Sequence, residues 1–168
     1  GVSRIVNLSG GPPGKRLLKA LKSAESFGGR FLVCTNVPWS KIESKGFFKA
    51  LPTMLKRAHE MGASCLKISK ALGLGVPDPT QPTQYLSIDD ARLNGLWQAA
   101  GRLNMPVFIH TADPKAFFEP ATPRNERFAE LSLHPSWSFS DRSYPRRESL
   151  LSARNRVISR HPRTAFIA

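Results

Sequence analysis

The 168-residue sequence has few residues of the types that anchor structural metal or redox sites. Its two cysteines form no CxxC pair, and neither has the spacing to histidine that is typical of structural zinc. Cys34 and Cys65 each lie inside an apolar, strand-like run. Because a free thiol behaves as a small hydrophobic group, we expect both cysteines to be buried and unpaired.

Long hydrophobic runs are also absent. The longest ones, such as residues 30–34, are far shorter than the roughly 20 residues that span a bilayer, so no membrane segment is predicted. No charged leader followed by an apolar stretch is visible, which leaves the compartment undetermined. Ser9 does not lie in a GxSxG motif, and a serine hydrolase therefore has no support.

Acidic residues are scarce, since 12 Asp and Glu accompany 25 Lys and Arg and the formal net charge is +13. Such an excess is typical of domains that bind nucleic acid or anionic surfaces. The basic residues are spread over several helical segments, however, and this favours solvated helix faces. The alternative is a module that binds nucleic acid or another polyanion through the Arg-rich helix at 145–163. Nucleic acid is the weaker interpretation, because the strands do not alternate aromatic and basic residues.

Apolar runs and helical periods alternate regularly along the chain. Five runs have the composition of strands: 2–9, 30–37, 63–71, 105–111 and 164–168. Four segments have the apolar spacing of helices: 15–26, 43–61, 89–104 and 145–161. A short helix is predicted at 125–133, and three prolines predict a long loop at 73–87.

This alternation predicts one α/β domain, residues 1–168, with a parallel sheet and right-handed crossovers. An open Rossmann-like sheet is the alternative, but the first strand–helix turn reads GGPPG and lacks GxGxxG spacing. The long loops follow the third and fourth strands, where (β/α) barrel enzymes carry their active sites. Strands lie almost at both ends of the sequence, so we expect further strands beyond them. The unpaired edges of the outermost strands could pair with a second copy of the chain, so a homo-oligomer is a further alternative.

Three polar residues in or beside the apolar strands are candidates for chemistry. His110 ends the run VFIHT, where an imidazole faces the mouth of a parallel barrel and can ligate zinc. Lys67 lies in the run CLKIS, where alternation turns it into the barrel. A buried amine needs a partner, so a role for Lys67 competes with a side chain that extends past the strand end. Lys70 points the other way or lies in the loop, and it is a weaker candidate.

Further candidates follow His110 in the same loop. Asp113, Arg124 and Asn125 are polar residues that could shape a substrate pocket. Asp113 belongs to the turn TADP, and the alternative is that its carboxylate only accepts hydrogen bonds from the backbone amides of this turn. The other histidines lie on or near helical segments, and we expect them at the surface: His59, His134 and His161.

Two stretches carry a resemblance to a known family. Residues 62–74 (GASCLKISKALGL) and 105–120 (MPVFIHTADPKAFFEP) resemble the fourth and fifth strands of amidohydrolase-related (amidohydrolase 2) proteins. Residues 125–137 and 150–162 continue the likeness, which extends over essentially the whole chain. The resemblance implies a metal-dependent TIM-like barrel, of which this chain supplies about strands two to six of eight.

The resemblance also implies where a metal binds. In that family the metal lies at the carboxyl-terminal rim, held by an HxH pair on strand one and a histidine on strand five. A further histidine follows strand six, and an aspartate ends strand eight. His110 matches the strand-five ligand, and Lys67 matches the strand-four position less closely. The other ligands have no counterpart in 1–168, so we do not expect this chain alone to assemble the site.

By resemblance, the predicted function is hydrolysis of a small-molecule substrate, or a related non-oxidative C–C cleavage. A divalent metal, with zinc as the first choice, would lower the pKa of bound water towards ~7 and polarise a carbonyl. His110 would ligate the metal, Lys67 and Asp113 would be catalytic, and Lys70, Arg124 and Asn125 would contact substrate. The competing interpretations are the polyanion-binding module and a barrel that serves as a scaffold without catalysis.

Overall fold

In the computed structural model, which describes residues 1–168, the chain forms seven strands and six α-helices. The strands are β1 (Ile5–Asn7), β2 (Phe31–Asn36), β3 (Cys65–Ile68), β4 (Pro77–Asp78), β5 (Gln81–Tyr85), β6 (Val107–Ile109) and β7 (Phe166–Ile167). The helices are α1 (Lys15–Glu25), α2 (Phe47–Glu60), α3 (Ala71–Leu74), α4 (Asn94–Arg102), α5 (Phe128–Leu133) and α6 (Arg147–Arg160). None of these helices combines the length and the apolar character that a membrane crossing requires.

The main sheet contains β1, β2, β3, β6 and β7 in that order, and all its pairings are parallel. The sheet curls into part of a barrel. Its strands follow the order of the sequence, so it lacks the reversal that forms the crevice of a doubly wound Rossmann sheet. The predicted partial (β/α) TIM-like barrel is therefore confirmed, and the Rossmann-like alternative is wrong.

The helices cover one face of this sheet. Leu66, Ile68, Val107 and Ile109 share that face by strand register, and each is at most 6% exposed. They belong to a core of 25 buried residues to which α2, α4 and α6 contribute, with Trp97 completely buried. Full burial of each such aliphatic side chain contributes roughly 1.5–3 kcal/mol, so this layer supplies much of the driving force for folding.

The GGPPG turn packs closely against β2. A Cβ atom at Gly10 would lie 2.4 Å from the carbonyl oxygen of Cys34, so only glycine fits at this position. The amide of Gly11 donates to Oδ1 of Asn36 at 2.7 Å, and the hydroxyl of Thr35 donates to the carbonyl of Gly11 at 3.1 Å. The absence of a side chain at these glycines therefore allows the turn to pack directly against β2.

The expectation of two free thiols is wrong, because Cys34 and Cys65 form a disulfide. They are direct partners in the register between β2 and β3, and both are at most 2% exposed. Burial was predicted correctly. The bond depends on which positions of two strands lie side by side, and the spacing of cysteines along the sequence does not reveal this.

Residues 73–87, predicted as a long loop, contain the end of α3 and a small hairpin of β4 and β5. Asp78 in β4 is buried and accepts a hydrogen bond of 2.6 Å from Nη2 of Arg92, which also donates to Oδ2 of Asp90 at 2.8 Å. The hydrogen bond from Arg92 lowers the pKa of Asp78 from 3.8 to about 2. This ion-pair network fixes the hairpin to the start of α4.

His161 also departs from expectation. It was predicted at the surface but is only 8% exposed, and its Nε2 lies 3.2 Å from Oδ1 of Asn94. The chain turns inward after α6 and brings the imidazole against α4. His59 and His134 are exposed as predicted.

We expect reduction of the disulfide to lower the free energy of unfolding by about 3–4 kcal/mol, because the bond joins residues 31 positions apart and restricts the unfolded chain. Denaturant unfolding with and without reductant measures the change. A Cys34→Ala/Cys65→Ala variant is the control and should not respond to reductant. Alkylation of both cysteines in unreduced, denatured protein would contradict the bond.

We expect Asp78→Asn to lower the free energy of unfolding by about 2 kcal/mol at pH 7, because the ionised carboxylate is the form that Arg92 stabilises. The pKa of Asp78 is lower in the folded chain, so its contribution is present above pH 3.8 and is lost as the pH falls to about 2. Denaturant unfolding between pH 7 and pH 2 should show the two proteins converging. Glu43→Gln, at an exposed position without an ion pair, is the control, and a pH-independent difference would contradict the assignment.

Candidate active site

The carboxyl ends of β3 and β6 lie level with each other at one edge of the sheet. Ile68 pairs with Ile109, and the next amide, that of His110, donates to the carbonyl of Ile68 at 3.0 Å. His110 therefore lies directly past the end of β6, and its side chain is 48% exposed. This is the edge where parallel barrels carry their active sites.

Strand register also decides which side chains share the inner face of the sheet. Lys67 pairs with Asn36 on one side and with Phe108 on the other, so all three side chains share one face. His110, two residues beyond Phe108, falls on the same face by alternation. All three paired residues are partly exposed, whereas the helix-covered face is buried.

Asp113 is the centre of a cluster at this edge. Its carboxylate is mostly buried and forms an ion pair with Nζ of Lys70 through Oδ2, while Oδ1 lies 3.4 Å from Nε2 of His110. Its carbonyl oxygen accepts a hydrogen bond of 3.1 Å from Nε of Arg147, the first residue of α6. We refer to Lys70, His110, Asp113 and Arg147 as the rim cluster. The alternative for Asp113, a carboxylate that accepts the backbone amides of its own turn, is not what the structure shows.

Lys67 lies outside this network. Its amine forms no hydrogen bond or ion pair, and burial lowers its pKa because the charged form loses hydration. Lys70, the weaker candidate from sequence, is thus the lysine that reaches Asp113. The role predicted for Lys67 stays a prediction.

The structure places the other two predicted residues in different settings. The side chain of Asn125 is buried, and its Nδ2 donates hydrogen bonds to the carbonyl oxygens of Ala116 at 2.8 Å and Pro120 at 3.1 Å. Its Oδ1 accepts the amide of Arg127 at 2.8 Å, so the side chain already braces its own loop. Arg124 is exposed and has no intramolecular partner. Substrate contacts by either residue stay predictions.

A cleft of about 630 Å³ adjoins the rim cluster, and we call it the aromatic cleft. Its lining includes three aromatic, four basic and three acidic residues: Phe118, Phe139 and Tyr144; Lys115, Arg142, Arg146 and Arg147; and Glu119, Asp141 and Glu148. The ring of Phe139 lies 5.3 Å from that of Phe118 and 5.1 Å from that of Tyr144, centre to centre. Nζ of Lys70 lies 5.2 Å above the ring of Phe139, and Arg147 borders both the cleft and Asp113.

Sequence reasoning missed the residues of this cleft. Arg146 and Arg147 look like ordinary members of a solvated helix face, and Phe139 and Tyr144 lie in a stretch without periodicity. Only the packing of the segment 138–147 across the carboxyl end of the sheet brings them to Lys70 and Asp113. A local excess of aromatic and arginine residues at 137–147 is the one signal that the sequence contains.

The donors for a metal ion are few. No group of three or more His, Cys, Asp or Glu residues converges anywhere in the chain. The rim cluster offers one imidazole and one carboxylate, and Lys70 already occupies one oxygen of that carboxylate. A catalytic zinc ion takes three protein ligands, so the residues of this chain do not by themselves fit the metal that the resemblance implies.

We expect Lys67→Met and Lys70→Met to have opposite effects. The methionine at 67 removes an amine without a partner, so the free energy of unfolding should stay unchanged or rise. The methionine at 70 leaves the Asp113 carboxylate without its cation and should cost about 1–2 kcal/mol at pH 7. Denaturant unfolding compares the two variants, and a larger loss for Lys67→Met would show that the amine has a partner.

Comparisons with known proteins bear on the fold. No protein-family model matches the sequence, and no curated protein matches it significantly. Two crystal structures of 2,6-dihydroxybenzoate decarboxylase, one complexed with 2,6-dihydroxybenzoate and one of the protein from Rhizobium, are similar to this chain with TM-score 0.53 and 16% identity. Each alignment covers 90% of this chain and 42% of the decarboxylase chain.

A Staphylococcus aureus protein described as an amidohydrolase is similar with TM-score 0.48 and 12% identity, over 91% of this chain and 48% of that one. The chain thus spans less than half the length of the structures that it matches. Its fold is that of part of the barrel found in 2,6-dihydroxybenzoate decarboxylase.

Proposed function

We propose that this chain is the part of a barrel enzyme that binds a small anionic substrate beside His110. The reaction would be hydrolysis or a related non-oxidative C–C cleavage. The observation that supports the proposal is the convergence of the rim cluster and the aromatic cleft at the carboxyl-terminal edge of the parallel sheet.

The chemistry of the cleft defines the substrate class. Phe118, Phe139 and Tyr144 offer flat apolar walls. The basic residues of the lining outnumber the acidic ones by four to three, and Lys115 pairs with Glu119 at 3.1 Å. The guanidinium groups of Arg142 and Arg146 have no intramolecular partner and are available to an anion. A planar molecule with a carboxylate matches both features, because arginine binds carboxylates through two parallel hydrogen bonds and aromatic rings pack against each other. A fold neighbour was crystallised with 2,6-dihydroxybenzoate, a molecule of this class.

The rim cluster would supply acid–base chemistry. The partly exposed imidazole of His110 can exchange a proton with a substrate atom in the opening, and Asp113 at 3.4 Å can stabilise the imidazolium that results. Lys70 and Arg147 place positive charge next to the same opening, where it would stabilise negative charge that develops on a carbonyl oxygen. Lys67 lies on the same face of the sheet and would place a further positive charge near the substrate.

A divalent metal enters this proposal only through His110. The role of metal ligand is an alternative to the proton exchange described above, because a coordinated imidazole nitrogen has no free lone pair. Zinc or another divalent ion bound to His110 would activate water and polarise a carbonyl. One histidine does not hold such an ion, so we assign no step of the reaction to a metal on this chain. The further ligands would belong to barrel strands outside the matched part of the fold, and we expect the chain alone to be inactive.

We expect 2,6-dihydroxybenzoate to bind the chain saturably in the aromatic cleft, and Arg146→Gln to weaken this binding about tenfold, or ~1.4 kcal/mol, by removing a guanidinium from the carboxylate. Isothermal titration calorimetry at low ionic strength measures the affinity. Arg4→Gln, which removes the same charge at an exposed position, is the control and should change the affinity less than twofold.

Two results would overturn this proposal. One is the absence of saturable binding for wild-type protein that is correctly folded. The other is an equal loss of affinity in Arg146→Gln and Arg4→Gln, since this would show that net charge alone attracts the ligand.

A further inference from the structure

A second cavity, of about 350 Å³, lies between the end of α4 and the turn from α6 to β7. Its polar wall consists of Gln98, Arg102, Arg160, His161, Arg163 and Thr164, and we call it the basic cavity. The crossover helices run back against the direction of the strands, so their carboxyl ends lie at the amino-terminal edge of the sheet. The basic cavity is therefore at the opposite end of the barrel from the rim cluster and takes no part in the proposed reaction.

The positive charge of this wall is only partly compensated. It holds three guanidinium groups and no carboxylate. The side chains of Arg102 and Arg163 form no hydrogen bond or ion pair with the rest of the chain. The guanidinium group of Arg160 is partly engaged: its Nη2 lies 3.1 Å from the carbonyl oxygen of Asp89 and 3.4 Å from Oδ2 of Asp89, and its Nε lies 3.3 Å from the carbonyl oxygen of Arg156. Like charges that share a concave surface repel each other and concentrate anions from solution.

The backbone around the cavity is fixed. A Cβ atom at Gly101 would lie 2.7 Å from Oγ1 of Thr164 and 2.9 Å from the carbonyl oxygen of Arg163, so the last turn of α4 touches this segment directly. The hydroxyl of Thr164 donates to the carbonyl of Trp97 at 2.8 Å, and its amide donates to the carbonyl of His161 at 3.0 Å. These contacts fix the backbone of Arg163 and Thr164 against the last turn of α4, which contains Arg102.

His161 provides an internal probe of the same cavity. Its ring is buried, with Nε2 held by Asn94, and it forms part of the wall. Burial lowers the pKa of His161, and the positive charge of Arg160 lowers it further. An anion in the cavity would offset the charge of Arg160 and raise this pKa.

We propose that the basic cavity is a binding site for a phosphate group, either free phosphate or the phosphate of a small metabolite. Planar guanidinium groups match the oxygens of phosphate through paired hydrogen bonds. Arg102 and Arg163 border this space with side chains that have no partner in the chain, and Arg160 adds a third positive charge to the wall. The volume suits a small molecule. A nucleic-acid duplex would instead need a continuous basic face, whereas α6 commits Arg156 to Asp89 at 2.7 Å and Arg147 to Asp113.

The test is titration of the 168-residue chain with inorganic phosphate and with ribose 5-phosphate at low ionic strength. Isothermal titration measures affinity, and NMR follows the imidazole resonances of His161. We expect saturable binding and a selective shift of His161, while His59 and His134 stay unchanged. Tighter binding of ribose 5-phosphate would identify a phosphorylated metabolite as the ligand, and equal affinities would identify phosphate alone.

The double variant Arg102→Gln/Arg163→Gln should weaken phosphate binding at least tenfold. Arg4→Gln/Arg57→Gln removes the same charge from two exposed positions outside the cavity and should change it less than twofold. Binding of 2,6-dihydroxybenzoate should be the same in all these proteins, so that failure at one site is distinguishable from failure at the other. Circular dichroism verifies that each variant is folded, and the His161 shift in the wild-type protein locates the site without any substitution.

Three outcomes would overturn the phosphate site. The first is no saturable binding of either phosphate compound. The second is binding that leaves the His161 resonances unmoved. The third is an oligonucleotide that binds more tightly than phosphate and loses affinity equally in both double variants, because this would show a general attraction of polyanions to a basic surface.

Discussion

The parallel pairing of β3 with β6 positions the candidate active site. It sets Ile68 beside Ile109, so that Lys70 and Asp113, which are 43 residues apart in sequence, meet just past the ends of their strands. The carboxylate of Asp113 is mostly buried, and a buried charge requires a partner of opposite sign. Lys70 is that partner, and Arg147 ties the same residue to the start of α6. The loops that surround the aromatic cleft depend on this junction.

The basic residues of the chain fall into two groups, those that pair with aspartates and those that have no such partner. The buried and partly buried aspartates each take a basic partner, as Asp78 and Asp90 do with Arg92 and Asp113 does with Lys70. The remaining guanidinium groups do not all lie on solvated helix faces, as the sequence led us to expect. Several of them line the aromatic cleft and the basic cavity, at opposite edges of one sheet. Two concave surfaces that differ in their aromatic content therefore carry part of the positive charge.

The two faces of the sheet differ in how closely they are packed. The helix-covered face is tightly packed. The Cys34–Cys65 disulfide joins β2 to β3 at the residue pair that lies two positions before the pair Asn36 and Lys67 in the strand register. The opposite face stays partly open, with Lys67 and Phe108 accessible. The decarboxylase structures that share this fold are more than twice as long as the aligned region.

The sequence by itself determined the order of the five main-sheet strands and of the longer helices between them, because apolar periodicity depends only on which side of an element is buried. It also located His110 at a strand end and predicted a partial barrel, but it did not reveal α3 or the hairpin of β4 and β5. Tertiary structure decided what the local pattern does not contain: the bond between Cys34 and Cys65, the choice of Lys70 over Lys67 as the partner of Asp113, and the burial of His161. Each of these depends on the register between strands or the packing of a helix end, which are contacts between residues far apart in the chain.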